Sequence, residues 1–233
     1  GGRVRPLQID TKPNDTFVTN VDRAVNKLVI QAVRKAYPSH GVIGEEESFM
    51  EDARDVWIVD PIDGTDDYID GGISNTFGIA RRKDGELDVG LVYNPFTQEQ
   101  YTAISGLGAY LNQERIHVNA ATLEMKPIYN YGYWDGAKPD LRVIEDTYGP
   151  TSCYGSTLYQ LCKLAEGELA FTIFPGNELH DVAAGAIIVQ EAGGKVSDIQ
   201  GQPVNWSDST VYGLIASNPL VHSSVVQHIA TLI

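Results

Sequence analysis

Apolar residues recur at helical spacing between residues 20 and 37, at Val21, Ala24, Val25, Leu28, Ala32 and Ala36, and predict a helix. Thr19 suits its N-cap, and Pro38 ends it. The short apolar run Val56-Trp57-Ile58-Val59 then enters a turn rich in Gly and Asp, the pattern of a buried strand that delivers Asp60 to an edge. From residue 75 to 119 the runs TFGIARR, LDVGLVYN, QYTAIS and GAYLN, separated by turn residues, predict a largely antiparallel sheet. Beyond it, strand signals at 127–133 and 169–174 alternate with helix signals at 157–166, 181–191 and 220–232. The change of pattern predicts two subdomains, an α+β half over 1–120 and an α/β half over 121–233.

Composition narrows the chemistry. With 233 residues, 42% of them hydrophobic, the chain is long enough for a substantial core. It carries no apolar run of about 18 residues, and its first ten residues (GGRVRPLQID) lack the apolar stretch of a signal peptide, so a cytoplasmic location is expected. Cys153 and Cys162 are expected to be reduced, and they have no Cys/His pattern that would hold zinc. A formal net charge of −14 repels nucleic-acid backbones and anionic membranes, and neither is expected as a partner. A small anionic substrate remains compatible with that charge only if a cation stands between it and the carboxylates.

Those carboxylates are concentrated. Between Glu45 and Asp70 stand eleven acidic residues against one basic residue, Arg54. A solvated acidic loop is the ordinary explanation of such a run. Here, however, Asp60 and Asp63 flank Pro61-Ile62 directly after a buried strand and precede Gly64-Thr65, so they are held on rigid backbone. Mutually repelling carboxylates in fixed positions need a cation. Oxygen ligands with no nearby His or Cys suit Mg2+, Mn2+ or Ca2+. The spacing does not match an EF-hand loop, which wants acidic or amide residues at positions 1, 3 and 5 and Gly at 6. Nor does it match the Asp-x-Asp of haloacid-dehalogenase-type phosphatases. Gly64-Thr65 offers backbone N–H groups to a phosphate oxygen and a hydroxyl that can orient water.

Four separated motifs resemble the lithium-sensitive inositol monophosphatase superfamily, which includes inositol-phosphate, fructose-bisphosphate and 3′-phosphoadenosine-5′-phosphate phosphatases. They are DTFVTNVD at 15–22, Gly44-Glu45-Glu46, WIVDPIDGTDDYIDG at 57–71 and HDVAAGAIIVQEAGG at 180–194. The resemblance implies a layered αβαβα sandwich and a homodimer that hydrolyses a small phosphorylated metabolite, by default an inositol monophosphate. It further implies that Glu45, Asp60 and the carbonyl of Ile62 bind one metal ion and that Asp60, Asp63 and Asp181 bind a second. The implied cofactor is Mg2+ (two or three ions), with Mn2+ as an alternative and Ca2+ or Li+ as inhibitors. Thr65 and Asp22 would pair by a hydrogen bond to position the attacking water, with Glu45 close by. Asp63, Gly64, Thr65, Gly155, Ser156 and Thr157 would contact the substrate.

Three departures bear on the substrate. The family's usual Trp before the last metal-binding Asp is His180, whose imidazole could hydrogen-bond a carboxylate or substrate, although a lone His is more often a packed or surface residue. Phe174 stands seven residues before Asp181, where inositol-phosphate enzymes carry a Glu; it can pack in the core or stack on an adenine. Eleven residues precede Lys12, where the family usually has a further helix, so that helix is missing or trimmed. The alternatives to inositol phosphate are therefore fructose bisphosphate, histidinol phosphate and 3′-phosphoadenosine 5′-phosphate. A different alternative is a degenerate metal-binding protein with a regulatory role.

Overall fold

A computed structural model describes residues 6–13, 16–125, 129–131, 147–148 and 154–232. An antiparallel ribbon of β1 (Ile9–Thr11) and β2 (Phe17–Thr19) runs into helix α1 (Asn20–Ala36). Thr19 caps α1 as expected: its Oγ1 accepts from the backbone N–H groups of Val21 and Asp22, and the Asp22 carboxylate accepts from Thr19 N at 2.8 Å. The helix stops one residue before Tyr37-Pro38, whose ring disfavours helical backbone ahead of it. Its inward stripe differs from the expected one. Leu28 is exposed, and the buried face is Asp22, Asn26, Val29, Ile30 and Val33. The first two positions of that stripe are polar because Asp22 serves the helix cap and groups with Glu45 and Glu46 while Asn26 donates to Glu47 O, so a search for apolar residues alone lands on the wrong face.

Among the described residues the larger sheet has seven strands in the order β3 (Gly41–Gly44), β4 (Asp55–Asp63), β5 (Thr76–Lys83), β6 (Glu86–Asn94), β7 (Glu99–Ile104), β8 (Gly108–Leu111) and β9 (Glu114–Ile116). Only β3 and β4 are parallel; the meander from β5 to β9 is the antiparallel sheet the sequence predicts, and β4 joins it antiparallel to β5. Strand β4 is longer than its apolar run and lies between β3 and β5 in the sheet; residues 56–59 are continuously apolar because layers pack on both faces of the sheet there. Val59 packs with Val29, Ile30 and Val33 of α1, whereas Ile58 packs into the main core on the opposite face.

That main core holds helices α3 (Thr157–Ala165) and α4 (Leu179–Glu191) against the large sheet. The short helix α2 (Thr65–Ile69) lies at the end of β4. On the far side of α3 and α4 runs a second sheet, ordered β10 (Tyr129–Tyr131), β11 (Phe171–Phe174), β15 (Leu214–Ser217), β13 (Lys195–Asp198). Between these, β12 (Asn177–Glu178) and β14 (Thr210–Val211) form a small ribbon. Alternation splits β15: Leu214 and Ala216 join the main core, and Ile215 faces Val225 and Ile229 of the last helix, α5 (His222–Ala230). The order of layers is thus α1, large sheet, α3 with α4, small sheet, α5, an αβαβα sandwich. Helix α4 sits in the middle layer and is apolar almost all round, as a helix covered on both sides must be. It lies so close to the sheet that a Cβ on Gly90 would come within 2.4 Å of Ile187 Cγ2 and 2.9 Å of Ala184 O.

Several expectations need adjustment. The second half of the chain adds β12 to β15, which are too short or too polar to give a periodic signal. Helix α4 starts two residues before the expected Asp181, and α5 covers only part of the expected 220–232. Of the expected strand at 127–133, residues 129–131 are a strand and the others lie outside the described residues, as does Cys153. Cys162 is a buried free thiol. No helix among the described residues is long and apolar enough to cross a membrane.

Candidate functional site

Pairing between β4 and β5 slips at the end of the strand: Asp60 lies opposite Gly78 and Asp63 opposite Thr76, so one residue is extra. Pro61 has no N–H to give the ladder, which suits it to such a bulge. In a regular strand, side chains three apart point to opposite faces; the extra residue turns Asp60 and Asp63 into the same cavity. Gly64 then turns the chain with φ +87°. A Cβ there would approach Gly155 O at 2.8 Å, so both the backbone angle and the space require Gly.

The cavity encloses about 590 Å3 and gathers side chains from five places in the chain: Lys12, Glu45, Asp60 with Asp63, Thr65, and His180 with Asp181. Asp60 is 2% exposed and Asp63 8%. Burial, then the charges of Asp63, Glu45 and Asp181, push the Asp60 carboxyl well above its ordinary range. Burial and the charge of Asp181 push Asp63 up to about 7, against the hydrogen bonds it accepts. Asp181 and Asp22 are raised as well, each chiefly by burial. Asp60 Oδ1 and Asp22 Oδ1 are buried and accept no hydrogen bond from any described residue. Carboxylates crowded in this way and left with unfilled lone pairs fit hard divalent cations.

The expected residues are held as follows. Asp63 Oδ2 accepts from Ser156 Oγ at 2.6 Å and from Leu158 N at 2.5 Å, at the start of α3. Ser156 is the N-cap of α3, accepts from Tyr159 N and is fully buried beneath the site. Gly155 lines the cavity, and Thr157 is the first residue of α3 behind it. The expected Thr65–Asp22 hydrogen bond is not made. Thr65 Oγ1 donates to Ile62 O at 3.0 Å, while Asp22 Oδ2 accepts from Thr19 Oγ1 at 2.5 Å. The Ile62 carbonyl therefore already accepts one hydrogen bond from a side chain. Asp181 Oδ2 accepts from Glu178 N at 2.8 Å, so Asp181 closes a capping box three residues inside α4 and is not itself the cap. Phe174 is 1% exposed in the main core and presents no face to a ligand, which removes the adenine-stacking reading.

Two residues at the site escaped the sequence reading, and His180 was legible only in part. Lys12 Nζ lies 2.6 Å from Glu45 Oε1 and 2.5 Å from Glu46 Oε1, a long-range ion pair with no local signal in the sequence. Glu46 groups with Asp22 and Glu45, with one carboxylate oxygen from each within 4.8 Å of the others. Of the two readings of His180, the packed or surface residue and the partner of a carboxylate, the structure favours the second: it lines the cavity and groups in the same way with Glu45 and Asp60. His40 stands five residues before Glu45 but accepts from Trp57 Nε1 instead of entering the site; α4 brings His180 from more than a hundred residues away.

Ser156 allows a first test. Ser156→Ala removes the cap of α3 and one of the donors to buried Asp63, and is expected to lower stability by about 1–2 kcal/mol, measured by urea denaturation. A loss below a few tenths of a kcal/mol would mean that Leu158 N alone satisfies Asp63.

The chain is similar to the Nus factor SuhB of Pseudomonas aeruginosa, 34% identical over 213 residues that cover 85% of this chain and 78% of that protein. It is 32% identical to the fructose-1,6-bisphosphatase/inositol-1-monophosphatase of Thermotoga maritima over 227 residues, 97% of this chain and 87% of the relative. Among solved structures, the extragenic suppressor protein suhB of Bartonella henselae superimposes with a TM-score of 0.88 at 28% identity, covering 97% of this chain and 90% of that one. With the sequence profile of that family matching residues 2–233, the chain belongs to the inositol monophosphatase family.

Proposed function

We propose that the chain is a divalent-metal-dependent phosphatase that hydrolyses a small phosphate monoester, with inositol monophosphate or a sugar bisphosphate as first candidates. The observation that carries this reading is the convergence of Asp60, Asp63, Asp181 and Glu45 on one cavity while a buried Asp60 oxygen has no partner. Glu45, Asp60 and the Ile62 carbonyl would hold one ion; Asp60, Asp63 and Asp181 would hold another. Mg2+ suits the oxygen donors, and when bound the ions supply an activated water and charge stabilisation for the leaving oxygen.

The protein's own groups do the rest. Ser156 and Leu158 N fix one oxygen of Asp63 and leave the other for the cavity. Gly64 and Thr65, at the start of α2, turn backbone N–H groups toward the phosphate side. Asp22, held by Thr19, keeps an oxygen that no described residue donates to, grouped with Glu45 and Glu46, and would help Glu45 and Thr65 orient the attacking water. Inositol phosphate and fructose bisphosphate lead the substrates because a relative of this length carries both activities in its name. We further expect a cytoplasmic homodimer.

A second reading has its own support: relatives named as Nus factors make a regulatory partner role, without turnover, the rival. The two part in one experiment. Phosphate release from inositol 1-phosphate, fructose 1,6-bisphosphate, histidinol phosphate and 3′-phosphoadenosine 5′-phosphate is measured with Mg2+ and with chelator. Release from one ester that chelator abolishes is the expected result. Folded, metal-loaded protein that releases phosphate from none of them favours the regulatory role.

A further inference from the structure

We infer that His180 is a metal ligand of this chain, so that its site mixes nitrogen with oxygen donors and favours Mn2+ over Mg2+. The inference rests on the metal-dependent reading above and goes beyond it in assigning the ligand and the preference.

Geometry is the first support. A ring nitrogen of His180 and carboxylate oxygens of Glu45 and Asp60 all lie within 4.8 Å of one another. Ligands of one cation are at most about twice the metal–ligand distance apart, roughly 4.4 Å, so a closure of a few tenths of an ångström brings the three together. His180 Nε2 is also 3.3 Å from Asp181 Oδ1, near the separation of about 3 Å between neighbouring ligands of an octahedral cation. The second support is independent of the histidine: Asp60, 2% exposed, has an oxygen with no donor, a vacancy that a cation fills. Backbone geometry does the aiming. Asp181 is tied to Glu178 N in the capping box, which holds the first turn of α4 and with it the preceding residue. His180 has a side chain only 15% exposed, enclosed by the cavity and not spread on the surface.

Chemistry then sets the preference. Mg2+ binds oxygen and keeps its water, whereas Mn2+, which shares its oxygen ligands, is also the first and weakest member of the first-row series that binds mixed nitrogen and oxygen sites. An imidazole in the site therefore raises affinity for Mn2+ and does little for Mg2+.

The test uses the full chain loaded with Mn2+ and examined by three-pulse electron spin-echo envelope modulation. Nitrogen-14 modulation from a directly bound imidazole is expected, and it is expected to vanish in His180→Gln. By calorimetry, the ratio of Mn2+ to Mg2+ affinity should fall about tenfold or more in that variant, the scale on which a supporting ligand contact alters metal binding. Bound Mn2+ without nitrogen modulation, or modulation that survives in His180→Gln, overturns the assignment and leaves the metal-dependent reading standing. Protein that binds Mg2+ but no Mn2+ overturns the assignment alone, and protein that binds neither ion overturns both.

Discussion

Asp60→Asn is expected to cut turnover of the phosphate ester by roughly 10³-fold, on the scale of the several kcal/mol that a metal ion contributes to a transition state. The substitution keeps the shape of the side chain and removes the one carboxylate shared by both proposed ions. Folding should survive, because the wild-type charge is buried among like charges when no metal is bound. In chelator at neutral pH the variant is therefore expected to melt no lower than the wild type, and circular dichroism should be unchanged. Turnover within tenfold of the wild type would remove Asp60 from the metal site. If the chain instead served a regulatory partner, wild type and variant would both lack turnover and partner binding would persist in both.

Metal-free protein should grow less stable as pH rises from about 4 to about 7. The Asp63 carboxyl, pushed up to about 7 in the fold, is compared with about 3.9 in the unfolded chain. Between those values the folded state holds a proton that the unfolded chain has released, so each step up in pH favours unfolding. Below the window both states are protonated and the full stability is present; above it the loss is complete. Asp60 and Asp181, raised by the same burial, act in the same direction. The fall should be on the order of a few kcal/mol between pH 4.5 and pH 7.5, read by urea denaturation in chelator, and Mg2+ or Mn2+ should reverse most of it at the upper end. A metal-free protein more stable at pH 7.5 than at pH 4.5 would contradict this picture of the cavity.

Much of this arrangement could be read from the chain. Residues 56–59 announce a covered strand because no polar residue interrupts them, and Thr19 announces a helix start because its hydroxyl can serve only a cap there. The motifs at 57–71 and 180–194 carry the metal-binding carboxylates of the family pattern, and the fold brings them together in one cavity. What stayed hidden depends on distant partners. Lys12 finds Glu45 and Glu46 across 33 and 34 positions, and nothing near it in sequence marks it as anything but a surface charge. His180 looks ordinary until α4 is seen passing beneath the end of β4. The buried face of α1 was misread because Asp22 and Asn26 occupy places where a core helix would carry apolar residues. Asn26 Nδ2 donates to Glu47 O at 2.8 Å and so braces the acidic loop, a task no periodicity can reveal.

Helix α4 belongs to the middle layer and packs on a sheet completed more than sixty residues before it in the chain. Its first turn carries Asp181 and His180, while Asp60 and Asp63 wait on a strand formed from the other half of the chain. Bringing these groups together closes a loop of more than a hundred residues, one of the most expensive contacts in the molecule in chain entropy. During synthesis the first sheet can be made while the cavity is still open on the side of α4. A nascent chain therefore cannot complete the proposed ion site that uses Asp181 until α4 has emerged and docked, and capture of that cation becomes a signal that the interior layer is in place.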